Sequence, residues 1–83
     1  MNEKWIKDNW EPVWIDFEKK YDAITWCYET IGPDTKYIAP MWAGWMHETH
    51  REGTGGPMVE VFFFKRKSDA VAFKLAIGSK EGY

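Results

Sequence analysis

An α+β fold with the element order βαββα is predicted by three features of this sequence. Two segments, "PVWIDF" at 12–17 and "PMVEVFFFK" at 57–65, are rich in β-branched and aromatic residues, as strands are. Two others, 22–31 and 69–77, space their apolar residues for helices, and each ends at a glycine, Gly32 or Gly78. Between them lies a segment dense in aromatics yet interrupted by Pro40 and Gly44, which suits an edge strand rather than an interior one.

Taken in order, residues 1–11 set Trp5, Ile6 and Trp10 among charges and stop at Pro12, the pattern of an N-terminal arm or short helix. "PVWIDF" alternates Val13, Ile15 and Phe17 with Trp14 and Asp16, so the first three mark the core face of the first strand. In "DAITWCYETI" a stripe runs through Ile24, Cys27 or Tyr28, and Ile31, with Asp22 as the cap and Gly32-Pro33 as the stop. The second strand is expected within "KYIAPMWAGWMH" at 36–47, bent by Pro40, after which "ETHREGTGG" reads as a polar hairpin loop. "MVEVFFF" is the most apolar strand, and Ser68 caps the closing helix "DAVAFKLAI". Residues 79–83 read as a frayed tail, and 1–83 as a single domain.

A right-handed first crossover and a local hairpin place the third strand between the other two. The result is a three-stranded antiparallel sheet with two helices on one face, a split βαβ unit like a ferredoxin-like domain lacking its last strand. The outer edge of the first strand is then open. Strand alternation is expected to turn Val59, Val61 and Phe63 toward the helices. Met58, Glu60, Phe62 and Phe64 then share an uncovered aromatic face with Trp14, Asp16 and either Trp42 or Trp45. Six tryptophans and 18% aromatic residues exceed the needs of an 83-residue core. The closing helix is also apolar nearly all round, broken only by Lys74. A partner, a second copy or the N-terminal arm is therefore expected to bury the excess.

Charge and cysteine content narrow the function classes. Charged residues make up 29%, no apolar run approaches 18 residues, and the start "MNEKWIKDNW" is polar, so neither a membrane span nor a secretory leader is expected. The lone Cys27 excludes an intramolecular disulfide framework and fits a reducing cytoplasm. A net charge of −2 is too small to drive binding to duplex phosphate by itself.

The helix end "WCYETIGP" and the closing "SDAVAFKLAIG" carry a resemblance. Trp26, Cys27, Glu29, Gly32 and Pro33 in the first, and Asp69, Ala70, Phe73, Lys74, Leu75 and Gly78 in the second, resemble a loose group of small uncharacterised proteins of tailed bacteriophages. The likeness spans about residues 21–78. It implies a phage origin and the cytoplasm of an infected bacterium, or the virion, as the setting. It carries over no catalytic or binding residue, and "MWAGWMHETHREG" lies outside it.

Candidate chemistry is sparse. "HETH" offers His47 and His50 to a metal only if the stretch were helical, and a polar loop is the ordinary reading, so no metal or cofactor is expected. Cys27 lies on a helical apolar stripe and reads as core rather than nucleophile. "REGTGG" has the glycines of a phosphate loop but neither its lysine nor its helix. Asp16 and Glu60 form a carboxylate pair across the sheet without a cleft to work in.

The expected function is therefore non-enzymatic: binding of a host or phage protein during host takeover, with Trp42, Trp45, His47, His50, Arg51, Phe62 and Phe64 as the partner surface. Lys65, Arg66 and Lys67 form a basic cluster suited to phosphates or an acidic partner surface. Two alternatives use the same features. The aromatic face could stack single-stranded nucleic acid, although Glu60 departs from the RNA-recognition pattern. The open edge could build a homo-oligomeric minor virion component. The sequence specifies neither the partner's identity, the stage of infection nor the oligomeric state.

Overall fold

The computed structural model describes residues 2–51 and 53–80. Its elements are α1 (Glu3–Asn9), β1 (Glu11–Asp16), a 3-10 turn (Phe17–Lys19), α2 (Lys20–Thr30), β2 (Trp45–Arg51), β3 (Met58–Phe64) and α3 (Lys67–Ala76). Both strand pairs are antiparallel and the sheet order is β1-β3-β2, with the most apolar strand at the centre. This is the α+β arrangement expected from the sequence, with α1 added in front of it.

Each helix end has a local cause. The Asn2 side chain accepts the Trp5 N–H at 2.9 Å and caps α1, and Pro12 follows two residues after its C-cap, Trp10. α2 begins earlier than expected, at Lys20, which puts Asp22 in its first turn rather than at the cap. Gly32, at φ 123°, turns the chain away from α2 in a conformation that side chains disfavour. α3 likewise starts at Lys67, so the position before the helix belongs to Arg66 and not to Ser68.

The sheet is buried on both faces. Toward α2 and α3, Val13, Ile15, Trp45, Phe62 and Phe64 join Ala23, Cys27, Ala70 and Phe73 in one core. On the opposite face Met46, Val61, Phe63 and Trp14 meet Ile6 and Trp10 of the α1 segment. The expected facing of β3 is thus reversed, although that of β1 holds. Pairing explains why: Val13 lies opposite Phe62 and Trp14 opposite Val61, so side chains opposite one another share a face. Phe62 and Phe64 are core residues, both 0% exposed, and not an open aromatic platform. The cover for the second face is α1.

β2 also differs from expectation. It begins at Trp45 and runs through His47 and His50, while 35–42 form turns. The "HETHR" stretch is strand because its alternate residues find partners on β3, whereas Pro40 and the turns at Ala39–Ala43 leave the preceding segment irregular. Gly44 lets the chain pass α2 closely: a Cβ there would lie 2.6 Å from Ile31 Cγ2.

The outer edge of β1 is partly closed. The Trp14 carbonyl, turned away from β3, accepts the Lys80 N–H at 2.6 Å, and Lys80 Nζ bonds Asp16 Oδ1 at 2.9 Å. Pro12, two residues earlier on the same side, has no N–H to offer. The expected fraying therefore does not extend to Lys80; residues 81–83 lie outside those described.

Truncation of either face should destabilise the fold. Phe62→Ala is expected to cost about 3–5 kcal/mol in urea unfolding, and Phe63→Ala to fall near or below the lower end because short α1 can settle into the gap. Trp42→Ala, at a site 76% exposed, should stay within about 0.5 kcal/mol of the parent. An unaltered midpoint for Phe63→Ala would show that α1 does not dock.

Candidate functional site

The helix-facing side of β3 carries one charge, Glu60, which is 0% exposed. Register dictates its partners: Thr49 lies opposite it on β2, and His47, two residues away, shares that face. Thr49 Oγ1 donates to Glu60 Oε1 at 2.6 Å, and His47 Nδ1 lies 2.6 Å from Oε2. Lys20 Nζ, from the first turn of α2, stands 4.0 Å from Oε1 and donates to Thr49 Oγ1 at 3.4 Å. Burial alone would push the Glu60 carboxyl up. The bonds from His47 and Thr49 and the nearby Lys20 charge outweigh it and hold the group below its ordinary value. A buried carboxylate without such partners would cost several kcal/mol.

The far nitrogen of His47 extends the cluster. Nε2 lies 3.9 Å from Oδ2 of Asp34, which is buried in the turn after α2. Asp34 Oδ1 accepts the Lys36 N–H at 2.9 Å, a turn-closing bond typical of aspartate. Tyr28 reaches the same carboxyl, and burial followed by the Asp34 charge pushes the Tyr28 hydroxyl up. Trp45 and Phe62 lie nearly parallel to the His47 ring, at 5.8 and 5.3 Å, and Trp45 Nε1 donates to the Gly32 carbonyl at 2.7 Å. The imidazole is thus fixed by stacking and by Glu60. It opens on a cleft of about 390 Å³ walled by Ile6, Met46 and Pro40 and flanked by Asp34, Lys36 and Glu3.

A second surface lies at the turn that leads into β2. The turn Ala39–Ala43 sinks Ala43 into the protein and thrusts Met41 and Trp42 outward, 62% and 76% exposed. Lys65 pins this turn: its backbone N–H donates to the Gly44 carbonyl at 3.0 Å and its Nζ to the Met41 carbonyl at 2.9 Å. Lys65 Nζ also lies 5.7 Å from the Trp10 ring centroid. Trp42, Met41, Ile31, Lys65, Arg66 and Asp69 enclose a shallow depression of about 290 Å³.

The residues expected to bind a partner therefore separate. Trp42, Lys65 and Arg66 come together at this depression, and Lys67 follows as the first, exposed residue of α3. Trp45, Phe62 and Phe64 are buried and unavailable as contacts. His47 is half-buried in the cleft. His50 and Arg51 are exposed, with His50 bonded to Glu48 and edge-on to Trp14 at 5.2 Å. Three residues apart on a strand, His47 and His50 point to opposite faces, so "HETH" does not aim two imidazoles at one point. Asp16 and Glu60 likewise lie on opposite faces, since Asp16 pairs with Val59 and Ile15 with Glu60. Cys27 is core, and burial pushes its thiol far up.

Asp34, Tyr28 and the Glu60 network escape a reading by pattern alone. One signal was present: a lone glutamate inside an apolar strand, with histidine and threonine at alternate positions across the hairpin. The chain matches no family model, no curated protein and no solved structure, so its own geometry carries the functional reading.

The Glu60 network should make stability acid-sensitive in a defined direction. Its folded value lies below the ordinary 4.5, so its stabilisation is complete above that value and is lost as pH falls through the lowered one. The stability gap between the parent and Glu60→Gln, measured by urea unfolding at about pH 7 and about pH 3, should narrow on acidification. A gap that stays constant would mean the carboxylate contributes no pH-linked stability.

Proposed function

We propose that this chain is a small, phage-encoded, non-enzymatic accessory protein that acts in the cytoplasm of an infected bacterium by binding a host or phage protein. The contact surface in this reading is the depression formed by Trp42, Met41, Lys65 and Arg66. One observation carries it: a tryptophan and a methionine stand well exposed beside two cations, on a turn that Lys65 clamps in place. Covering an exposed tryptophan is worth several kcal/mol at about 25 cal/mol per Å² over ~150–250 Å², and a clamped turn loses little entropy on binding. Trp and Arg are also the commonest energetic anchors of interfaces. The phage setting rests on the resemblance of the two helix motifs.

Lys65, Arg66 and Lys67 give the surface a positive border and favour an acidic contact on the partner. Single-stranded nucleic acid is the weaker reading because Phe62 and Phe64 are buried against α2 and α3, the opposite sheet face meets α1, and Trp42 alone remains as a stacking ring at this patch.

Affinity capture with the full chain and with Trp42→Ala and Arg66→Glu, each verified as folded by circular dichroism, tests the proposal. A specific protein recovered by the parent should fall at least about tenfold with either variant, a loss of about 1.4 kcal/mol or more. Equal recovery by the parent and both variants would eliminate this surface. Recovery of nucleic acid, weakening steeply with salt, would replace a protein partner with a nucleic-acid one.

A further inference from the structure

The cleft at His47 stands apart from the Trp42 surface and presents a different chemistry. Glu60, buried and bonded by Thr49, receives the Nδ1 proton of His47 at 2.6 Å. A neutral imidazole held in that tautomer leaves Nε2 as a lone-pair acceptor. Facing it is a second acceptor, Asp34 Oδ2, at 3.9 Å, too far for a direct hydrogen bond. Asp34 Oδ1 accepts the Lys36 N–H, which fixes the carboxylate with Oδ2 toward the imidazole. Ile6, Met46 and Pro40 supply apolar walls, and Glu3 adds a carboxylate at the rim.

From this geometry we propose that the cleft binds a primary ammonium group on a short alkyl stem, with the nitrogen between His47 Nε2 and Asp34 Oδ2 and the stem against Ile6, Met46 and Pro40. A compact ammonium has three donors on one nitrogen, enough to serve both acceptors from a point between them. Its charge meets Asp34 and Glu3, while its methylenes lie on apolar side chains as a lysine stem does. The source is either a free alkylamine or a lysine side chain of a polypeptide, two ligands with the same head group.

Titration of the full chain, followed by backbone and imidazole NMR, decides the matter. Butylamine should shift the amides of Asp34–Lys36 and the His47 nitrogens, and butanol, similar in shape but uncharged, should not. Asp34→Asn should weaken butylamine binding roughly tenfold or more. Should that variant fail to fold, the amine-against-alcohol comparison on the parent and a weakened response in the rim variant Glu3→Gln stand in its place. Nα-acetyl-lysine amide binding more tightly than butylamine assigns the site to a polypeptide lysine, and the reverse order assigns it to a free amine. Equal shifts from butylamine and butanol, no shift at millimolar amine, or a His47 already doubly protonated in the free protein at neutral pH would each overturn the proposal.

Discussion

The buried Glu60 carboxylate is the constraint on which the arrangement of the sheet depends. A charge at the centre of an apolar strand can be tolerated on one face only, the one where donors wait for it. Thr49 and His47 supply them from β2 and Lys20 adds a cation from α2, so a single residue fixes three things together. It sets the face of β3 that meets the helices, the register of β2 against β3, and the position of α2 over the hairpin. A slip of β3 by one residue would bring Glu60 against Ile6 and Trp10 and strip it of all three partners. The network stabilises little in net terms, since both charges and hydroxyl leave water; its main effect is to penalise every alternative pairing.

With that face fixed, the other must be covered by something else, and a chain of this size has few candidates. α1 is only seven residues long, yet Ile6 and Trp10 reach the apolar side of β3 and Lys7 Nζ bonds Glu48 Oε2 at 2.7 Å. Glu48, although pushed up by burial, is held below its ordinary value by its bonds to Lys7 and His50. The N-terminal segment is thereby tied to β2 as well as to β3, and the sheet becomes the middle layer of three. This accounts for much of the tryptophan excess. Trp10 and Trp45 are buried and Trp14 and Trp26 partly so, leaving Trp42 and, less openly, Trp5 at the surface.

Strand order and the two long helices were legible because each rests on a local signal: Gly32 and Gly78 as stops, the apolar density of "MVEVFFF"; the bounds of β2 were not, since the Pro40 segment expected to form it is a series of turns. The facing of β3 was not, and the reason is physical. A strand buried on both sides is apolar at both parities, so Phe62 and Phe63 look equivalent in a period-two pattern. The one polar residue misleads, because Glu60 suggests solvent where hydrogen-bond donors actually await it. Trp42 and the 65–67 cations were legible as candidates; that they meet in space depends on a turn clamped by Lys65, a contact across 24 positions that no local pattern encodes. Asp34 was invisible for the same reason, since its importance comes from where α2 delivers it.

The closure of β1 bears on how copies of this chain could join. An open sheet with two free edges can add a neighbour at each end and grow without limit, as fibrils do. Here Pro12 withholds a donor on the outer edge of β1 and the Lys80 amide occupies the Trp14 carbonyl, which partly blocks that edge, while β2 is the other edge strand of the described sheet. Pairing of β2 against β2 about a two-fold axis would satisfy both copies and end there. A strand adding beside β1 would first have to displace the Lys80 segment from the Trp14 carbonyl, so a few atoms at the C-terminal end of the described chain oppose growth of the sheet on that side.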